Sequence, residues 1–92
     1  MDRQTKSVPE STLTTLVESG AIHTAYVVED ETADLYVVLS CANIDYRLEK
    51  KRGGERRFKS LDAAANCLRD LGMTRLRVRL KEFRQGRQPI LD

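Results

Sequence analysis

An α+β domain, with an antiparallel sheet of four to five strands and one main helix on one face, is what this 92-residue sequence predicts. Three observations carry that expectation. Residues alternate apolar and polar with period two at Ile44–Glu49 and again at Arg75–Lys81, the pattern of half-buried strands. The strand-like runs in the first half are joined by short polar turns, which favours antiparallel pairing. Between the two alternating runs lies Ser60–Gly72, which has a start signal, one apolar stripe and a stop signal for a helix.

The elements follow in chain order. Residues 1–8 are polar and read as a disordered N-terminus, and a single domain is expected over 9–81. Pro9 suits a helix first turn, and Leu13, Leu16 and Val17 make a short i, i+3, i+4 stripe before Gly20, which predicts a small helix over about 9–19. Ile22–Glu29, rich in Val, Tyr and Thr, reads as a strand. Glu29-Asp30-Glu31-Thr32 is a polar turn. Leu35–Cys41 is apolar on both faces and is expected at the centre of the sheet. After Ala42-Asn43, Ile44, Tyr46 and Leu48 alternate with Asp45, Arg47 and Glu49. Arg52-Gly53-Gly54-Glu55 supplies a flexible turn, and Arg56–Lys59 is expected to return antiparallel.

The helix over 60–71 is justified position by position. The Ser60 hydroxyl can accept from free N–H groups of the first turn, and Asp62 meets the positive end of the helix dipole. Leu61, Ala64, Ala65, Leu68 and Leu71 form one stripe that must be buried, and Gly72 can take the left-handed conformation that ends a helix. Beyond it, Leu76, Val78 and Leu80 are expected on the core, with Arg75, Arg77, Arg79 and Lys81 outward. Residues 82–92, with Gly86 and Pro89, have no period and read as a flexible tail.

Composition narrows the function. The chain is 40% hydrophobic and 33% charged, as in a soluble globular domain, and no apolar run approaches the ~18 residues of a membrane span. Two cysteines, Cys41 and Cys67, are too few for a disulfide scaffold, so a cytoplasmic setting with reduced thiols is expected. One histidine, His23, and two distant cysteines lack the spacing of a zinc site, and no nucleophile stands beside a base. Arg52-Gly53-Gly54-Glu55 has too few glycines for a phosphate loop. The acidic group Glu29, Asp30, Glu31 and Asp34 reads as a solvated turn. A non-enzymatic protein without metal or cofactor is the expectation.

Charge is the remaining signal. Residues 1–46 carry two basic against eight acidic side chains, a balance of −6, whereas residues 47–87 carry fourteen against five, a balance of +9. The candidate nucleic-acid contacts are Arg47, Lys51, Arg52, Arg56, Arg57 and Lys59 around one predicted hairpin, with Arg75, Arg77, Arg79 and Lys81 on the last strand. If those two strands are neighbours, the charges form a continuous basic sheet face, and a ribbon or sheet can enter the DNA major groove. Four like charges on one side of a strand repel unless something neutralises them. The acidic half could do so, within the chain or across a dimer, so docking of an acidic protein stands as the alternative.

Two resemblances arise on these residues. Leu13-Thr14-Thr15-Leu16-Val17-Glu18-Ser19-Gly20-Ala21-Ile22, then Arg56-Arg57-Phe58-Lys59-Ser60-Leu61-Asp62-Ala63-Ala64 and Leu68-Arg69-Asp70-Leu71-Gly72, resemble the small ParC-type proteins of plasmid partition loci over roughly residues 13–81. The resemblance implies an accessory protein beside a partition ATPase, with a role in plasmid maintenance, and assigns no catalytic or binding residue. More loosely, strands followed by Arg57-Phe58-Lys59-Ser60 and a helix are similar to the arm-binding domains of phage integrases, which read DNA with a three-stranded sheet. The extra N-terminal helix and the strand after the main helix depart from that pattern. Together these readings imply DNA as a partner, with a partition ATPase or a second copy of the chain as the alternative, and no membrane.

Overall fold

In the computed structural model, which describes residues 3–80, the elements are β1 (Gln4–Val8), α1 (Glu10–Glu18), β2 (Thr24–Glu29), β3 (Leu35–Cys41), β4 (Ile44–Leu48), α2 (Leu61–Leu71) and β5 (Arg77–Arg79). The strands make one sheet in the order β1-β4-β3-β2-β5. β2, β3 and β4 are antiparallel neighbours, as their short connections require. β3 is central, in keeping with its two apolar faces.

The sheet is mixed rather than purely antiparallel. β1 pairs parallel to β4, and β5 pairs parallel to β2. The cause is the pair of helices. β1 and β2 run in one direction and are joined through α1, while β4 and β5 share a direction and are joined through α2. A chain that crosses one face through a helix re-enters the sheet parallel to the strand it left.

Residues 1–8 were expected to be disordered, yet Gln4–Val8 forms the edge strand β1, exposed at four of its five positions. Its polar sequence carries no strand period, so its order comes from the neighbour. Besides the ladder to β4, Gln4 N–H donates to the Asn43 carbonyl at 2.9 Å and Glu49 N–H to the Val8 carbonyl at 2.9 Å. The expected return strand at Arg56–Lys59 is reduced to isolated bridges, Glu49 with Glu55 and Leu35 with Phe58. The expected tail at 82–92 lies outside the described residues.

Both helices lie on one face. Ala25, Val27, Val37, Leu39 and Leu48 from the sheet meet Leu13 of α1 and Ala64, Leu68 and Leu71 of α2, with Phe58 closing one end. α2 is bounded as its sequence predicts: Ser60 Oγ accepts from Ala63 N–H at 3.1 Å, and Gly72 ends the helix at φ +106°. Leu61, the first residue of α2, departs from the expected stripe and is 45% exposed. β5 departs more. Leu76 packs on the core, but Val78 is 38% and Leu80 56% exposed, because β5 lies at the sheet edge.

Candidate nucleic-acid interface

Strand alternation sends every second side chain to the face opposite the helices, and among the described residues no element covers it. By register, Ser7, Arg47, Val38, Tyr26 and Arg77 stand in one row across all five strands. Thr5, Asp45, Ser40 and Thr24 form the row on one side, and Tyr36, Val28 and Arg79 the row on the other. The result is a shallow trough of about 460 Å³ with His23 at its rim. Its floor is tyrosine and valine, and arginines stand on both flanks.

Those arginines stack on the tyrosines. The Arg47 guanidinium lies 4.4 Å from the Tyr36 ring centroid, with Arg57 at 5.8 Å, and Arg79 lies 4.4 Å from the Tyr26 ring. Attraction between a cation and the ring quadrupole holds each guanidinium over its tyrosine. Arg47 also donates to the Tyr36 hydroxyl at 3.2 Å and to Glu55 at 2.8 Å. At the trough's other end Arg3 Nε and Nη2 both donate to Asp45 Oδ1, at 3.0 and 2.8 Å, and Ser40 Oγ donates to the same oxygen at 2.8 Å. The Arg3 hydrogen bond, with help from Ser40, holds the Asp45 carboxyl below the ordinary carboxylate range.

The condition for one continuous basic face fails. β4 and β5 are separated by β3 and β2, so Arg47 stands about 14 Å across the sheet from Arg77 at the usual strand spacing. Much of the positive charge is also neutralised within the chain. Arg47 pairs with Glu55, Arg57 with both Asp30 and Glu55, and Lys59 with Asp34. The acidic turn at residues 29–34, read from sequence as merely solvated, is thus the partner of the basic segment before α2.

A family model described as ParC-like matches residues 8–84. The chain belongs to the ParC-like family. No curated protein and no solved structure matches it. The family match covers every described element of this ParC-like chain except all but the last residue of β1.

The expected contact residues of the ParC-like chain therefore separate into groups. Arg47, Arg77 and Arg79 share the open face, joined at its end by Arg57. Lys51 and Arg52 lie in the turn after β4, exposed, and Arg56 stacks on the edge of the core at 5.0 Å from the Phe58 ring. Lys59 is drawn to Asp34. Arg75 lines a separate groove with Leu68 and Arg69 of α2, and Lys81 lies outside the described residues. Sequence reasoning missed Tyr26, Tyr36, Thr5 and Arg3. The tyrosines were visible in principle, because Tyr26 alternates with the core residues Ala25 and Val27, and Tyr36 with Leu35 and Val37.

Among the described residues no group of three or more His, Cys, Asp and Glu gathers to hold a metal ion, and no helix is long and apolar enough to cross a membrane.

Proposed function

We propose that this ParC-like protein is a non-enzymatic accessory factor of plasmid maintenance that contacts nucleic acid through its open sheet face. One observation carries the reading: a face that no element among the described residues covers, whose tyrosine floor is flanked by arginines, two of which, Arg77 and Arg79, make no ion pair among the described residues. Aromatic side chains offer stacking surfaces and the arginines offer phosphate contacts, the combination on which sequence-tolerant binding rests. The family supports the plasmid setting. The test is fluorescence anisotropy with labelled oligonucleotides at low salt. Binding is expected, and Arg77→Glu with Arg79→Glu abolishes it. A wild-type chain that binds neither single strands nor duplex at low salt overturns the reading.

A second reading is favoured by a separate observation. β5 leaves one side of its backbone unpaired among the described strands, and Val78 and Leu80 beside it are exposed. Such an edge can accept a strand from a partner protein, a second copy or a partition ATPase. Light scattering coupled to size exclusion separates these: a dimer that persists at high salt supports self-association.

A further inference from the structure

The width of the open face decides which form of nucleic acid it can take. Four inter-strand steps separate β1 from β5, so the sheet measures about 19 Å between its edge strands. The major groove of B-DNA is about 12 Å wide and admits a helix or a two-stranded ribbon, not this face. Charge points the same way. Binding to duplex rests mainly on neutralised phosphates, and Arg3, Arg47 and Arg57 already hold carboxylates. We propose that the trough is a site for single-stranded nucleic acid, with successive bases stacked on the Tyr26–Arg79 and Tyr36–Arg47 layers. This rests on the nucleic-acid reading above and narrows it.

The geometry suits the ligand. Tyr26 is paired with Val38 and Tyr36 with Val28, so the two tyrosines are diagonal neighbours on adjacent strands. That places them about 7–8 Å apart, a spacing one extended dinucleotide spans. Each base meets a ring face or the guanidinium plane lying on it, both of which stack with any base. Arg77 and Arg79 are the phosphate contacts, and the hydroxyls of Thr5, Thr24 and Ser40 can hydrogen-bond base edges or sugar. With two to four phosphates neutralised, the log–log salt slope is about −1.4 to −2.8.

The test compares short labelled oligothymidylate, oligouridylate and a duplex of the same length with the full chain. Single strands are expected to bind about tenfold more tightly than duplex, and the two single-stranded arms show whether DNA or RNA is preferred. The chain has no tryptophan, so its three tyrosines dominate the emission, and Tyr46 packs against the core. Stacking therefore quenches tyrosine fluorescence from Tyr26 and Tyr36 in the unaltered protein. Tyr26→Ala and Tyr36→Ala each weaken single-strand binding about tenfold, the loss of one stacked base, whereas Tyr26→Phe retains it. Quenching keeps the test decisive where an alanine variant does not fold. Duplex bound as tightly as single strand, or single strand bound without quenching, overturns this proposal and leaves the broader reading standing. No binding of any form overturns both.

Discussion

Asp45 is the residue on which the floor of the trough depends. It accepts from Arg3 of the segment leading into β1 and from Ser40 of β3, so one carboxylate ties three strands on the open face. Folding lowers its pKa from the ordinary 3.8, chiefly through the Arg3 hydrogen bond. The sign follows from linkage. A carboxyl with a depressed folded-state pKa adds stability that is complete above its ordinary value and is lost as pH falls through the lower, folded one. The contribution therefore disappears in acid, below about pH 4. Asp45→Asn is expected to melt lower than wild type at neutral pH and to converge with it as the solution is acidified. Melting curves recorded across that range check this, and parallel curves would place the stabilising charge elsewhere. At Cys67 burial pushes the thiol pKa up, so its labelling at mildly alkaline pH should be slower than that of free cysteine. The outward direction of Arg47, Arg77 and Arg79 was legible from alternation alone. What each touches was not, because Glu55, Tyr36 and Tyr26 are neighbours only once strand order is known.

At the scale of the element, α2 is the part of the chain with most local determinants. Its cap, its stripe and its glycine stop are all sequence-encoded within the thirteen residues Ser60–Gly72, and for that reason its bounds were legible. Gly72 has a double constraint. Its φ of +106° suits only glycine, and a Cβ there would sit 3.1 Å from Cγ1 of Val17 in α1. Gly72→Ala is expected to cost about 1–2 kcal/mol or more from backbone strain and the shift it forces on α1. Urea unfolding measures it, and a variant of unchanged midpoint would show that the turn relaxes freely. Leu68 is 1% exposed at the centre of the helix–sheet contact, and Leu68→Ala should cost about 2–5 kcal/mol. A domain of this size has little reserve, so loss of the folded circular-dichroism spectrum is expected at moderate temperature. An unchanged melting temperature would contradict the packing of α2 on the sheet. β5 is the contrasting case. Its alternation is the cleanest in the chain, yet periodicity says which side chains share a face, not whether a helix reaches that face, and among the described residues Val78 at the edge is left 38% exposed.

At the scale of the molecule, the charge division along the chain is used internally. Arg57 and Lys59, from the basic segment, close onto Asp30 and Asp34 of the acidic one. Exposed pairs of this kind contribute little stability each, and their larger effect is to remove positive charge from any partner's view. That β1 lies ahead of the expected domain start at residue 9 has a related reason. β1 has no apolar pattern, and only Val8 packs on the core, so nothing local marks it as a strand. Its place is set by β4, whose outer backbone groups it satisfies, and by Arg3 reaching Asp45. This gives a direct test of how the sheet is completed. A chain starting at Pro9 loses one ladder, the Arg3 contact and the Val8 packing, and leaves β4 as an open edge. Its melting temperature should fall by about 5–10 °C, the shift that 1–2 kcal/mol produces in a domain this small. The bare β4 edge should also promote association through strand pairing, visible by light scattering as material larger than the full-length chain. Restoring β1 with Arg3 changed to Ala should return the monodisperse state but only part of the melting temperature, since the ladder and the ion pair act separately. If the shortened chain melts as the full one does, β1 does not hold the sheet, and the trough must be bounded by β4 instead.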